Sequence, residues 1–237
     1  MANTILHKAE SRGNANHGWL HSRHTFSFAN YYNPERTHFG VLRVLNDDRV
    51  EAGMGFGTHP HDNMEIISIP LEGDLEHKDS MGNVTVIKNG DVQIMSAGSG
   101  VRHSEANVSA TDPLTLFQIW IFPKVRNIEP RYDQRSFDVA ERINQWQIVV
   151  SPREEDKALW INQDARFALT KLEAGRTINY ANAFPGNGVY LVNISGKVQV
   201  NDTALHKRDA MGITESDQFT IVAEEDSELL VIEVPMR

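Results

Sequence analysis

Short runs of β-forming residues separated by turn residues are the feature of this sequence that most restricts its fold. Between residues 39 and 121, runs such as 65–71, 84–87 and 92–95 alternate with clusters of glycine, asparagine and aspartate. Such runs are typical of strands, and the clusters are typical of turns. The run 114–121 is apolar at nearly every position, as expected for a strand buried on both faces. No stretch of this region keeps a helical period, so an all-β barrel or sandwich is predicted.

Two motifs within this strand pattern carry potential metal ligands after glycine-rich turns. The first motif contains His59 and His61, and the second contains His103 and Glu105. Side chains at positions i and i+2 of a strand point to the same face, so two neighbouring strands would bring three imidazoles and a carboxylate together. This donor set suits iron, nickel, copper, manganese, cobalt or zinc. Single histidine pairs are common on surfaces, but two such pairs in the same setting favour a metal site.

Three further histidines lie in a polar, turn-rich N-terminal segment. They are His17, His21 and His24. No carboxylate is spaced to help them hold a metal. We therefore expect hydrogen-bonded histidines in a packed loop rather than ligands.

The second half of the chain resembles a diverged copy of the first. Residues 69–77 and 192–200 share a pattern of strand, glycine turn and strand. Carrying this register back places Asn182 and Phe184 opposite the first histidine pair, so that the ligands are missing from the copy. Metal binding is therefore predicted in the first half only.

A charged stretch without periodicity separates the two halves, and it includes Pro123 and Asp138 at its ends. The prediction is an N-terminal metal-binding domain at 1–130, a linker at 131–144 and a C-terminal domain without metal at 145–237.

Composition limits the classes of function. The formal net charge of −9 opposes direct binding to nucleic acid, which needs a basic surface. There is no cysteine, which excludes disulfides, thiolate ligands and a cysteine nucleophile. The N-terminus lacks a long apolar segment, and no later stretch is long enough to span a membrane. We therefore expect a cytoplasmic protein without membrane contact.

The two motifs resemble those of the cupin superfamily and, within it, those of the pirin family. The first has the cupin form at Gly53, His59, His61, Glu65 and Gly73. The second departs from the usual cupin pattern: Ser96 stands where proline is common, and two extra residues separate Gly98 from His103. This departure is similar to pirins, as are residues 23–30, 55–61, 80–83 and 98–105. The chain is especially similar to bacterial pirin-like quercetinases.

The pirin resemblance implies a bicupin, in which two antiparallel β-barrels face each other and the N-terminal barrel holds one metal, with Fe(II) favoured. By position, the ligands are His59, His61, His103 and Glu105, and Glu105 is also the expected catalytic base. Glu65 has the strand parity of the first histidine pair, and the corresponding glutamate binds metal in many cupins. The pirin pattern assigns the carboxylate role to Glu105, and we follow it.

The resemblance also implies cleavage of quercetin or a related flavonol with dioxygen. Four protein ligands would leave open positions for exogenous ligands. Met54, Phe56, Met95 and Phe117 could line a pocket for a flat aromatic ligand, although each alone is typical of barrel core. Eukaryotic pirins are metal-dependent cofactors of transcription factors, so a regulatory protein with a protein partner is the alternative. A metalloenzyme with another physiological substrate is a third possibility.

Overall fold

The computed structural model describes residues 2–236. Its regular secondary structure consists almost entirely of antiparallel strands, which confirms the all-β prediction. The strands of the first half are β1 (Asn3–His7), β2 (Gly13–Asn16), β3 (Leu20–His24), β4 (Leu42–Val50), β5 (Gly55–His61), β6 (Glu65–Glu72), β7 (Leu75–Asp79), β8 (Val84–Ile87), β9 (Asp91–Ser96), β10 (Val101–Asn107), β11 (Leu114–Ile121) and β12 (Arg131–Ser136).

The second half of the chain repeats this architecture. Its strands are β13 (Gln147–Val150), β14 (Arg166–Leu172), β15 (Thr177–Ala181), β16 (Asn187–Ser195), β17 (Val198–Val200), β18 (Thr203–Leu205), β19 (Ala210–Thr214), β20 (Gln218–Ala223) and β21 (Ser227–Pro235). Single 3₁₀ turns occur at Ala9–Ser11, Val139–Arg142 and Glu154–Asp156. Within residues 2–236, no helix has the length and apolar character needed to cross a membrane.

Each half contains one large and one small sheet. In the first half, the order is β12-β9-β6-β11-β4-β3-β2 in the large sheet and β5-β10-β7-β8 in the small one. In the second half, the order is β1-β19-β16-β21-β14-β13 and β15-β20-β17-β18. The two small sheets lie on the outer sides, because the large sheets pack on each other through the largest apolar cluster of the molecule.

Alternation along the strands explains this packing. In β6, Ile67 and Ile69 belong to the cluster between the two large sheets, whereas Ile66 packs inside the N-terminal barrel with Met95. Both faces of β6 are therefore buried, and the same holds for most of β11. This arrangement accounts for strands that are apolar at successive positions.

Two strands cross the predicted domain limits. Residues 3–7 form β1, which pairs with β19 in the C-terminal sheet, with Ile5 opposite Gly212. Residues 131–136 of the predicted linker form β12, which pairs with β9 at the edge of the N-terminal sheet. An edge strand with half-exposed side chains needs no apolar alternation, so its sequence is hard to distinguish from a linker. The limits 1–130 and 145–237 remain a proposal.

Candidate metal centre

Two neighbouring strands of the small N-terminal sheet bring three histidines together. In the pairing of β5 with β10, His103 lies directly opposite His59, and the register shifts between His103 and Glu105. The ring centroids of His59, His61 and His103 are 4.5–4.9 Å apart. One nitrogen of each ring lies within 4.8 Å of the others, so the three imidazoles converge on one point.

The protonation states of these rings suit a metal. The Nδ1–H of His59 donates to the Gly57 carbonyl oxygen at 2.7 Å, which leaves Nε2 as the free lone pair. Burial, with His59 nearby, lowers the pKa of His61 to about 4 and that of His103 to about 3. Both rings are therefore neutral near pH 7, as ligation requires.

His103 provides the test of whether a metal fits. Its side chain is 1% exposed, and neither ring nitrogen has a hydrogen-bond partner among the described residues. A buried imidazole without a partner is costly unless something else satisfies it. A divalent transition metal bound by the three rings would do so, and the donor set is one that such metals prefer.

Glu105 lies beside this group rather than within it. Its carboxylate is fully buried and forms the second group of potential ligands with His77 and His103, again within 4.8 Å. Ser68 and Gln93 donate to Oε1 at 3.0 and 2.9 Å, and Gln118 donates to Oε2 at 2.9 Å. His103 belongs to both groups, but Glu105 shares no group with His59 or His61 among the described residues. The set of four ligands remains a prediction.

His77 is a site residue that the sequence reasoning missed. It lies on β7 opposite Glu105, with its ring centroid 5.4 Å from that of His103. Its Nε2 is 2.9 Å from Oδ2 of Asp79, and both side chains are fully buried. Burial alone would raise the pKa of Asp79, but hydrogen bonds from Asn83 and His77 hold that pKa below its usual range. The available signal was the i, i+2 spacing of His77 and Asp79, which also occurs in the two motifs.

Glu65 lies outside both groups and faces the C-terminal domain. Its Oε2 accepts hydrogen bonds from Ser96 Oγ at 2.8 Å and from the backbone N–H of Asn162 at 3.2 Å. Glu65 does not share a strand face with His59 and His61, because the chain turns between β5 and β6 at Asn63, which has a φ of 47°. Burial raises the pKa of Glu65. Of the two carboxylates weighed from the sequence, Glu105 alone belongs to a group of potential ligands among the described residues.

A cleft of about 390 Å³ opens onto His59 and His61. Four aromatic residues contribute to its walls, namely Trp19, Phe28, Phe56 and Trp120. Of the four apolar residues proposed from the sequence to line a pocket, Phe56 lies here. Met54 is exposed, Met95 is buried in barrel core and Phe117 belongs to the cluster between the sheets.

The N-terminal histidines contribute to the site region without joining a ligand group of the described chain. His17 and His24 line the cleft, whereas Nε2 of His21 is 2.8 Å from the side-chain oxygen of Asn14. We expected all three to be hydrogen-bonded histidines, and His21 makes such a bond, whereas His17 and His24 line the cleft. The lining positions of the other two arise because β2 and β3 extend the large sheet past β4.

In the C-terminal barrel, the corresponding positions make other contacts. Asn182 donates from Nδ2 to the carbonyl oxygens of Asn187 and Ser216, and the Phe184 ring lies 4.4 Å from the Arg153 guanidinium. Within residues 2–236, both groups of potential ligands belong to the N-terminal domain. Metal binding in that domain alone remains a prediction.

Comparison with known proteins identifies the family. The Pirin family model matches residues 6–121, and a model described as a quercetinase C-terminal cupin domain matches residues 148–234. The chain is 47% identical over 233 residues to a quercetin 2,3-dioxygenase of Escherichia coli K12. The alignment covers 97% of this chain and 98% of that protein. It is 42% identical over 222 residues to a pirin-like protein of Caulobacter vibrioides, with coverage of 93% and 95%.

Solved structures agree with this assignment. The crystal structure of YhhW from Escherichia coli superposes with a TM-score of 0.94 at 45% identity, covering 99% of each chain. The structure of bacterial pirin YhhW in complex with nickel(II) gives 0.93 at 44% identity, with coverage of 99% of this chain and 100% of that one. The chain therefore belongs to the pirin family, with two cupin domains.

Proposed function

We propose that this protein is a metal-dependent dioxygenase that cleaves quercetin or a related flavonol with dioxygen. The observation that carries the proposal is the group of His59, His61 and His103, whose rings converge at the end of an aromatic cleft. The name of the Escherichia coli relative, a quercetin 2,3-dioxygenase at 47% identity over nearly the whole chain, supports the same activity.

One divalent transition metal fits the site, with Fe(II) favoured and Ni, Cu, Mn, Co or Zn as other candidates. His59, His61, His103 and Glu105 would hold it. The crystallised nickel(II) complex of the related YhhW supports a single site of this kind. When bound, the metal would supply a Lewis acid that favours the flavonol anion and a centre for activating dioxygen.

The aromatic walls of the cleft suit a flat substrate. The Trp19 and Phe56 rings meet edge to face with centroids 5.3 Å apart, and Trp120 meets His61 in the same way at 4.9 Å. A planar ring system between such walls excludes water from the histidine group. Exclusion of water strengthens each electrostatic interaction there.

We assign Glu105 the role of the base that takes the proton from the acidic hydroxyl of the flavonol. Three donors hold its carboxylate in position, two on Oε1 and one on Oε2. Oε2 therefore has more free acceptor capacity, and we assign the transferred proton to it. Loss of that proton converts the substrate to an electron-rich anion, which is the form that reacts with dioxygen.

The test is Glu105→Gln, which keeps the size of the side chain and a potential oxygen ligand but removes the basic charge. We expect metal content to be largely retained and flavonol-dependent oxygen uptake to fall on the order of a hundredfold. Glu76→Gln is the control, because Glu76 is a partly exposed carboxylate on the neighbouring strand and precedes His77.

Two results would contradict the proposal. Full oxygen uptake by metal-loaded Glu105→Gln would remove the role of Glu105 as base. If the metal-loaded wild type consumed no oxygen with any flavonol, the dioxygenase proposal would fail, and a metal-dependent regulatory protein with a protein partner would take its place.

A further inference from the structure

A row of polar side chains crosses the large N-terminal sheet. Each member is the direct cross-strand neighbour of the next, and the order is His24, Asn46, Gln118, Ser68 and Gln93. The last three donate hydrogen bonds to the Glu105 carboxylate. The row therefore leads from Glu105 to the two strands, β3 and β4, that border the cleft.

The other end of this row lacks protein partners. His24 Nδ1 and Asn46 Oδ1 are buried without a hydrogen-bond partner in the described chain. Ser22 Oγ and Asp48 Oδ1, the next pair along β3 and β4, also lack a partner with full hydrogen-bond geometry in that part of the chain, although the Ser22 hydroxyl lies near enough to Asp48 to lower the pKa of that carboxyl against the larger effect of burial. All four side chains line the cleft with His59 and His61. We call Ser22, His24, Asn46 and Asp48 the polar wall.

Four such atoms in one place need an explanation, since most buried polar atoms in proteins are satisfied. Each unsatisfied group destabilises the folded protein, because it has lost its hydration without gaining a partner. The residues of the polar wall are only 2–4% exposed, so bulk water does not reach them freely. Their common feature is the cleft they face, which indicates that a cleft occupant supplies the missing hydrogen bonds.

The atoms of the polar wall define the chemistry of that occupant. The unpartnered oxygens of Asn46 and Asp48 require donors, and Ser22 Oγ can also accept. Burial raises the pKa of Asp48 to about 7, so a substantial fraction is carboxylate near neutral pH. Phenolic hydroxyls are donors of suitable size on a ring that the aromatic walls accept.

We propose that the polar wall binds ring hydroxyl groups of the substrate, so that the protein selects polyhydroxylated flavonols. This inference rests on the proposed function, which places the hydroxyl and carbonyl shared by all flavonols at the histidine group. Quercetin carries further ring hydroxyls, whereas 3-hydroxyflavone has only the shared pair. The wall therefore distinguishes these two ligands, although both present the same groups to the metal.

The experiment measures binding without turnover. Quercetin and 3-hydroxyflavone are titrated into zinc-loaded protein under anaerobic conditions, and affinity is read by calorimetry. Wild type should bind quercetin at least about tenfold more tightly than 3-hydroxyflavone. Asp48→Ala and Ser22→Ala should each weaken quercetin binding by roughly five- to tenfold and change 3-hydroxyflavone binding by less than about twofold.

Arg49→Ala is the matched control, because Arg49 follows Asp48 on β4 and its side chain is exposed. It should leave both affinities unchanged. Near-ultraviolet circular dichroism checks that each variant is folded, and Ser22→Ala, which removes only a hydroxyl, keeps the test valid if Asp48→Ala does not fold.

The inference is overturned if wild type binds both flavonols equally or binds neither, if the wall variants weaken both by the same factor, or if the variants change neither affinity. In the last case, the wall holds ordered water alone. Oxygen uptake tests the proposed function separately. Discrimination without oxygen uptake would retain this inference and remove the dioxygenase, and oxygen uptake without discrimination would do the reverse.

Discussion

His103 is the residue on which the candidate metal centre depends most, because both groups of potential ligands include it. His59 and His61 are half-buried and reach the cleft, whereas His103 is buried behind them. Neither of its ring nitrogens has a hydrogen-bond partner among residues 2–236, and a metal would satisfy one of them. The energetic need for a ligand is therefore greatest at His103.

We predict that His103→Ala loses metal affinity by at least about a hundredfold, since the variant removes the ligand common to both groups. Metal content after dialysis against a fixed metal buffer measures the loss. His206→Ala is the control, because His206 is the one histidine beyond residue 145 and is exposed. Full metal occupancy in His103→Ala would show that the ligands lie elsewhere.

Asp48 is a second residue whose environment has a measurable consequence. Burial raises its pKa from 3.8 to about 7, so the folded state holds its proton more tightly than the unfolded state. The unfolded chain releases that proton near pH 4, and stability then falls as the pH rises through about 7. The cost of the buried charge is thus greatest in mildly alkaline solution.

Asp48→Asn should remove this dependence. Relative to wild type, the metal-free variant should gain stability at about pH 8, by an amount on the order of a few kcal/mol, and gain little at about pH 4. Urea unfolding of both proteins at the two pH values gives the difference. An equal change in the free energy of unfolding at both would contradict the assignment of a raised pKa.

At the scale of strands, the sequence predicted what local periodicity controls. The i, i+2 rule placed His59 with His61 because β5 is an uninterrupted strand, and the apolar runs predicted β6 and β11 correctly. The rule failed for Glu65, where Asn63 interrupts the strand parity. It relates His77 to Asp79 but does not place His77 opposite Glu105, because the pairing of β7 with β10 is set by the fold and not by neighbouring residues.

Close contact between β5 and β10 sets the distance between the two halves of the metal centre. A Cβ atom at Gly55 would lie 2.3 Å from the Glu105 carbonyl oxygen and 2.5 Å from Ala106 Cα. Both contacts are to backbone, so the strands would have to separate at the register shift beside His103. A Cβ at Gly57 would meet nothing within 4 Å.

This difference predicts the effects of two substitutions on the same strand. Gly55→Ala should destabilise the protein by about 1–3 kcal/mol and weaken metal binding, because it moves β5 and its histidines away from β10. Gly57→Ala should leave both properties nearly unchanged. Metal titration and chemical unfolding of the two variants are the measurements, and equal behaviour would show that the strand spacing does not limit the site.

At the scale of the whole molecule, the internal repeat predicts two barrels but not how they join. The strongest apolar contact is between the large sheets, and polar contacts add to it at the edges. Asp47 forms ion pairs with Arg12 and Arg208, and Glu65 accepts from the Asn162 backbone. β1 contributes a strand to the C-terminal sheet from the start of the chain. These contacts join distant residues, and local pattern does not encode them.

The shared core predicts that the two domains unfold together, because neither large sheet keeps its buried face without the other. Phe167 is a fully buried member of this core on the C-terminal side. Phe167→Ala should cost about 3–5 kcal/mol and lower the single transition for the whole chain. Phe122→Ala, at a position 40% exposed, should change the transition little.

Metal release would report on the N-terminal domain, which contains both groups of potential ligands found in residues 2–236. In a thermal scan of the metal-loaded protein, release detected with a colorimetric chelator should coincide with loss of the far-ultraviolet signal, and Phe167→Ala should move both to the same lower temperature. Added metal should raise that common temperature, since it binds only the folded chain. Two separate transitions, with metal release unaffected by a substitution in the C-terminal sheet, would show instead that each barrel folds independently.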